Sequence, residues 1–215
     1  MTFINGILHS LAAISLSLLL VTPAPAKTAT DSPRLLQADF AGQVASADAR
    51  YAASRVLSAS DHQGLPFVIV DKKDARIFVF GPDGQLRGAS AVLLGLASGD
   101  HSIPGIGERE LSRILPAERT TPAGRFLSQP GRNLQGEAVV WVKHSEGLAI
   151  HRLRPGSSLE QRAQRLASST PEDNRVSLGC VVVPVAFYQS VVAPCLLYTS
   201  PSPRDVEESR MPSSA

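Results

Sequence analysis

The stretch that decides the fold and the chemistry of this chain is Ser177-Leu178-Gly179-Cys180-Val181-Val182-Val183. Its valines are typical of a short buried strand, which Pro184 would end. The glycine before Cys180 lets the backbone approach a neighbour closely at the point where a thiol could act as a nucleophile. The alternative is a buried cysteine that serves only as a small apolar side chain.

The start of the chain predicts export. Residues 7–21 form an apolar run, and Ala24-Pro25-Ala26 is a small-x-small cleavage site. We therefore expect residues 1–26 to be a removed signal peptide, with a periplasmic mature protein and no stable membrane span. The region before the apolar run has no Lys or Arg, so an uncleaved anchor is the alternative. A lone thiol in an oxidising compartment indicates a chemical role.

The charge of the chain bears on its partners. A formal net charge of +2 is too small to indicate a nucleic-acid partner. Arginines nevertheless crowd into the stretch before Cys180, at Arg152, Arg154, Arg162, Arg165 and Arg175. Such a cluster would favour an acidic substrate and lower the pKa of a nearby thiol. The alternative is that these arginines only form the solvated face of a helix.

The hydrophobic pattern predicts a helix followed by short strands. Residues 33–58 read as one amphipathic helix within an N-terminal helical segment, 27–64. The apolar positions that predict its buried face are Leu36, Phe40, Val44, Ala47 and Tyr51. Strands are predicted at 67–71, 76–80, 89–96, 125–127, 138–142, 148–151 and 181–183, the first two as a hairpin.

Two further segments complete this prediction. Ser157-x-x-Glu160 forms a capping box for a short helix before Cys180. Gly95 to Arg119 is a long, polar, glycine-containing loop, which we expect to cover a substrate groove as a lid. Many short strands with two helical pieces indicate a mainly β domain rather than a parallel α/β one.

A cysteine nucleophile needs a base, and the chain has five histidines. His151 ends the apolar run Gly147-Leu148-Ala149-Ile150, which would hold its ring at the end of a strand. His9 lies in the predicted signal peptide, whereas His62, His101 and His144 lie in polar, turn-like surroundings. The alternative is that His151 is an ordinary core or surface histidine with no catalytic role.

Three motifs together resemble a known family. They are Thr121-Pro122-Ala123-Gly124-Arg125-Phe126, His151-Arg152 and Ser177-x-Gly179-Cys180. In this order and spacing they resemble the L,D-transpeptidase (YkuD-like) catalytic domain of bacterial cell-wall enzymes, over roughly residues 65–194. The likeness is greatest to a secreted Gram-negative branch. It implies a mainly β, β-sandwich-like domain that needs no cofactor and no metal, and we expect a monomer.

The resemblance also implies a chemistry. Cys180 would attack the carbonyl of the third residue of a peptidoglycan stem tetrapeptide, expel the terminal D-Ala and form a thioester. His151 would take the thiol proton and later activate an amine, or water in a carboxypeptidase. Backbone N–H groups of Gly179 and Cys180 would stabilise the oxyanion, and Ser177 would steady the thiol or the imidazole. Carbapenem-type inhibitors would acylate Cys180.

The substrate-binding residues implied are Arg152, Arg175, Thr121 and Arg125. The sequence departs from the family at Leu178, where a histidine is common, and at Val182, where an arginine is common. We expect Arg175 to replace the missing charge. If it does not, the chain would be a catalytically weakened peptidoglycan-binding module. A zinc site of His144, His151 and Cys180 is a distant alternative, because the spacing matches no short zinc motif.

The end of the chain departs from the family as well. Residues 191–194 would form a further strand, but residues 196–205 resemble translated sequencing-adapter read-through. We therefore expect residues 195–215 to be an artefactual or disordered tail. The alternative is a Cys180–Cys195 disulfide, which would remove the nucleophile.

Overall fold

The computed structural model describes residues 36–155 and 158–197, all within one compact unit. Its α-helices are α1 (Ala47–Ser58), α2 (Arg162–Ala167) and α3 (Val185–Phe187), the last continuing as a π-helix, Tyr188–Leu197. Its strands are β1 (Phe67–Asp71), β2 (Arg76–Phe80), β3 (Leu86–Ala91), β4 (Leu94–Gly95), β5 (Gln129–Arg132), β6 (Ala138–Lys143), β7 (Leu148–Arg152), β8 (Arg175–Ser177) and β9 (Val181–Val183). The predicted signal peptide and residues 198–215 of the predicted tail lie outside the described residues.

The strands form three sheets, ordered β1-β2-β3, β4-β8 and β5-β6-β7-β9. Pairing is antiparallel except between β4 and β8 and between β7 and β9, which are parallel. Helical and strand residues are equally frequent, at 28% each. The fold is therefore mixed, with many strands in sheets and a few helices, and not mainly β as predicted.

The predicted hairpin is confirmed, with Phe67 opposite Phe80 and Asp71 opposite Arg76. The predicted strand 89–96 is divided: β3 ends at Ala91, and β4 turns away to pair with β8. Residues 125–127 are not a strand, and β8 was not predicted. A three-residue strand carries almost no periodic signal, so its parallel pairing with β4 is what defines it.

One apolar core joins all three sheets to the C-terminal helix. It contains Ile77 and Val79 of β2, Leu94 of β4, Val140 and Ile150 of the third sheet, and Val181, Val183, Tyr188, Val192 and Leu196. The expected strand at 191–194 is therefore helical instead. The helix continues past Cys195, the expected start of the tail, to Leu197, and Leu196 is only 2% exposed.

The first helix is shorter than predicted and buries a different face. Ala41 and Gly42 have φ values of 48° and 74°, which form a turn within the predicted helix. The helix begins after Ser46, whose hydroxyl accepts from the Ala49 N–H at 3.1 Å. Its buried residues are Ala49, Ala53 and Leu57, whereas Leu36, Val44 and Tyr51 are exposed.

The helix before Cys180 also begins later than predicted. Gln161 has a left-handed φ of 46°, and α2 starts at Arg162. Leu166 is buried as expected, but Leu159 is 90% exposed. Ser157 of the predicted capping box lies outside the described residues. In the part of the chain that the structure describes, no helix is long and apolar enough to cross a bilayer.

The buried face of α1 can be tested by substitution. Leu57 packs in a cluster with Phe40, Phe78 and Phe80. We expect Leu57→Ala to lower the free energy of unfolding by about 2–5 kcal/mol, because it leaves a cavity. Tyr51→Ala in the same helix should change it by no more than about 0.5 kcal/mol, since Tyr51 is 63% exposed. Urea unfolding of both variants measures this, and equal losses would contradict the assigned face.

Candidate active site

Cys180 and His151 lie on one face of two paired strands. In the parallel register of β7 and β9, Ile150 is opposite Val181 and His151 is opposite Val182. One step earlier, Cys180 lies level with Ala149, whose backbone hydrogen-bonds to the sulfur. Because side chains alternate along a strand, Cys180 and His151 point to the same side, while Ile150 and Val181 enter the core. The strand register thus puts the two predicted catalytic side chains on the same side of the sheet, with Cys180 directly before β9.

The thiol of Cys180 is enclosed by backbone groups. Sγ donates to the Gly147 carbonyl, 3.3 Å away. Burial raises the pKa of the Cys180 thiol, while the backbone of Ala149 and the charges of Arg154 and Arg162 lower it less. The expected depression of this pKa is therefore wrong, because desolvation of the thiolate outweighs the nearby positive charge. At neutral pH the sulfur carries its proton.

The imidazole of His151 has a defined tautomer. Nδ1 lies 2.8 Å from the carbonyl oxygen of Arg152, and because a carbonyl only accepts, Nδ1 carries the proton. Burial lowers the pKa of His151, although this hydrogen bond raises it; Arg154 and Arg162 lower it further and Glu137 raises it. The ring is therefore neutral at pH 7, which leaves Nε2 unprotonated and able to accept a proton.

Charged side chains surround this pair. Glu137, at the turn before β6, lies 2.6 Å from Arg152 Nη2 and 2.6 Å from Arg154 Nε. The Arg152 guanidinium holds the pKa of Glu137 below its usual range, so the carboxylate is ionised. Arg152 therefore binds Glu137, although we predicted it to bind substrate. Arg154 and Arg162, which the predicted substrate set omitted, are the charges that act on both Cys180 and His151.

The turn before Cys180 requires glycine. Gly179 has a φ of +134°, and a Cβ there would lie 2.9 Å from the Thr120 carbonyl oxygen. Ser177, buried beneath this turn, donates its hydroxyl to the Cys180 carbonyl at 2.7 Å and accepts from the Gly179 N–H at 3.1 Å. Ser177 thus holds the backbone of the turn, whereas we predicted a bond to the thiol or the imidazole. Of the two predicted oxyanion donors, the Gly179 N–H is already hydrogen-bonded.

Thr121 positions this turn from the other side. Its hydroxyl donates to the Gly179 carbonyl at 2.7 Å and accepts from the Gly95 N–H at 2.8 Å. The residue is only 4% exposed. Its hydroxyl is therefore used within the protein, and we correct its predicted role from substrate contact to positioning.

The other two predicted substrate contacts lie elsewhere. Arg175 donates Nη2 to the Lys72 carbonyl at 2.7 Å and lines a cavity at the β4–β8 sheet. Arg125 pairs with Asp61, in the turn after α1. Neither is among the charges that act on Cys180, so Arg175 does not replace the missing arginine.

Val182, the position at which the family commonly has an arginine, is fully buried against Leu93 and Leu166. An arginine in this apolar site would lose its hydration.

The loop between Gly95 and Arg119 lies on the Cys180 side of the domain. Three short 3₁₀ turns occur in it, and a Cβ on Gly107 would collide with the backbone of Gly147, whose carbonyl accepts from the thiol. The ends of the loop are held together by the bond from Ala97 N–H to the Arg119 carbonyl, 3.0 Å. This position agrees with a lid beside the thiol.

Two of the alternatives for Cys180, a disulfide and a zinc site, are not observed among the described residues. No disulfide joins it to Cys195. Within residues 36–155 and 158–197, no three His, Cys, Asp or Glu side chains gather as a metal site. The ring of His144 instead packs against the ring of Trp141, with their centroids 4.7 Å apart.

The chain matches no protein-family model, no curated protein and no solved structure in comparisons with each. Its own geometry is thus the basis for a functional proposal.

Two glycines beside Thr120 offer a matched test of the Cys180 turn. Gly179 and Gly99 have φ values of +134° and +128°, but the nearest atom to a Cβ on Gly99 is Thr120 Cγ2, at 3.8 Å. Both alanine substitutions carry backbone strain of about 1–3 kcal/mol. We expect Gly179→Ala to cost about 1–3 kcal/mol more, because only at Gly179 would the new Cβ press against a backbone atom, the Thr120 carbonyl oxygen. Urea unfolding compares them, and equal costs would argue against the close approach.

The raised pKa of Cys180 predicts how alkylation depends on pH. Because only the thiolate reacts, its rate should still be rising at pH 9.0, the ordinary value for cysteine. Arg154→Gln should shift the midpoint further upward, since Arg154 lowers this pKa. Arg132→Gln, on β5, is the control because Arg132 bonds the Gly136 carbonyl and is not among the charges that act on Cys180. Iodoacetamide kinetics with mass spectrometry at Cys180 gives the midpoint; a plateau below pH 7 would refute the raised pKa.

Proposed function

We propose that this chain is a periplasmic cysteine acyltransferase of the L,D-transpeptidase type that acts on peptidoglycan stem tetrapeptides. The observation that carries the proposal is the register of β7 and β9, which puts His151 and Cys180, the residue before β9, on the same side of the sheet, together with the unprotonated Nε2 of His151. The motifs that resemble that family and the signal-like start of the chain support it. The proposal includes a sandwich-like packing of the sheets and a monomeric protein.

In the proposed first step, Cys180 Sγ attacks the carbonyl carbon of the third stem residue. Nε2 of His151 takes the thiol proton as the S–C bond forms. The tetrahedral intermediate then expels the amine of the terminal D-Ala, which receives that proton as the C–N bond breaks, and a thioester remains. A protonated thiol beside a neutral imidazole suits this general-base route, because the proton moves during attack and no thiolate need be held beforehand.

The second step reverses these roles. His151 deprotonates the amine of an acceptor stem, which attacks the thioester and gives a 3–3 crosslink, or it deprotonates water, which gives a shortened stem. In the proposal, the Cys180 N–H stabilises the oxyanion, because the Gly179 N–H is bonded to Ser177. Arg154 and Arg162 supply positive charge to the same site and favour an acidic stem peptide.

The loop from Gly95 to Arg119 acts as the lid in this proposal. Gly107 lies against Gly147, next to the thiol. Covering the thioester would exclude water and so favour an amine acceptor over hydrolysis. If the loop does not exclude water, the same residues would hydrolyse the thioester, and the protein would act as a carboxypeptidase.

A second candidate is a peptidoglycan-binding module with weakened chemistry. The observation that favours it is the hydrogen bond of Cys180 Sγ to the Gly147 carbonyl, together with burial that raises the pKa of the thiol. In this candidate the groove is kept, but the thiol does not transfer its proton to His151.

Product analysis separates these functions. The protein is incubated with disaccharide-tetrapeptide, and mass spectrometry reads crosslinked dimer for a transpeptidase, tripeptide for a carboxypeptidase, or no change for a binding module. We expect Cys180→Ala to abolish turnover and His151→Ala to reduce it by about 10²–10⁴-fold. Cys195→Ala, in the C-terminal helix, is the matched control and should keep full turnover.

A carbapenem provides a second measurement in the same experiment. Acyl transfer through Cys180 should add the mass of one carbapenem to the wild-type protein and to Cys195→Ala, but not to Cys180→Ala. An unmodified wild type after long incubation would support the binding module. Equal loss of turnover in both cysteine variants would refute the nucleophile assignment.

A further inference from the structure

A cavity lies at the edge of the β4–β8 sheet, apart from the Cys180–His151 pair. Its volume is about 520 Å³, and it is lined by the β1–β2 turn, the segment after β4 and the turn between α2 and β8. The charged side chains among its lining residues are Lys73, Arg165, Glu172 and Arg175. Pockets of roughly 300–1,000 Å³ are large enough for small molecules.

Arg175 presents an unsatisfied donor in this part of the structure. Nη2 donates to the Lys72 carbonyl at 2.7 Å, but Nη1 is buried without a hydrogen-bond partner. The residue is held by the pairing of β8 with β4, in which it lies opposite Leu94. A buried donor without a partner costs about 1–3 kcal/mol. Arg175 is also one of the residues that line the cavity, so the positive charge of its guanidinium acts on the cavity wall.

The remaining charges make the cavity positive. Arg165 donates to the carbonyls of Glu160 and Asp173, each at 3.0 Å, and these neutral acceptors leave its charge uncompensated. Lys73 pairs with Asp48, although both side chains are largely exposed to water, which screens the pair. Glu172 is the one carboxylate among the described lining residues. Two arginines thus face one acidic group.

We propose that this cavity is a second binding site, for a small ligand that carries a phosphate or carboxylate group. An anionic group in the cavity would interact with the positive charges of Arg175 and Arg165, a charge-assisted contact of the kind arginine makes with both groups. The site is independent of the acyltransferase proposal, because the charges that act on Cys180 come from Arg154 and Arg162.

Calorimetric titration with inorganic phosphate and with citrate tests the site and distinguishes the two chemistries. We expect saturable binding of at least one of them, equally strong in the full-length wild type and in Cys180→Ala. Arg175→Gln should weaken it by about tenfold or more, since it removes one of the two arginine charges that line the cavity. Arg132→Gln, whose guanidinium lies on β5 and bonds Gly136, is the control and should bind as the wild type does.

A second variant guards against a purely structural effect, because Arg175→Gln also removes the bond to Lys72. Glu172→Gln should strengthen anion binding, since it removes the negative charge from the cavity, and loss of stability could not produce that gain. The proposal is overturned if neither anion binds the wild type saturably, or if Arg175→Gln and Arg132→Gln bind equally. Retained binding in Cys180→Ala with no acyl transfer by the wild type would reject the acyltransferase and keep this site.

Discussion

The candidate site depends on one buried hydroxyl. Thr121 Oγ1 joins the Gly95 N–H to the Gly179 carbonyl, and so connects β4 to the turn that carries Cys180. Neither backbone group has access to water in this position, so loss of the hydroxyl would leave two buried polar groups unpaired. The contact is possible because the segment through Thr120 passes where side chains of Gly95 and Gly179 would otherwise lie. Backbone packing thus sets where the sulfur is held.

This packing has an electrostatic consequence. Enclosing Cys180 between Gly147 and Ala149 makes desolvation the largest influence on its pKa, and the same is true of His151. Both groups are therefore neutral near pH 7, although arginines lie nearby. A neutral thiol and imidazole differ from a preformed ion pair, in that proton transfer has to accompany attack. The dense packing that positions the nucleophile also determines its protonation state.

Prediction succeeded where the signal was local. The hairpin of β1 and β2 and the strands β6, β7 and β9 follow from short apolar runs. Prediction failed where distant segments decide the outcome. The turn at Gly42 shortened α1, and residues 191–194, expected as a strand, lie in a helix whose Val192 and Leu196 enter the core. Thr121 and Arg175 bond to residues far away along the chain, and Ser177 bonds to backbone groups of the turn. No local sequence pattern predicts such partners.

By itself, the sequence determined the short strands that His151 ends and Cys180 precedes, because apolar runs act locally, and its motifs indicated these two residues as the candidate base and nucleophile. Only the tertiary structure decided which arginines act on them. Arg154 and Arg162 do so, while Arg175 of the same predicted cluster lines another cavity. The physical reason is that β8, which carries Arg175, pairs in parallel with β4. The two strands are far apart along the chain, so no periodic sequence pattern predicts their pairing. Coulomb interactions and desolvation depend on distance in space, which chain packing alone sets.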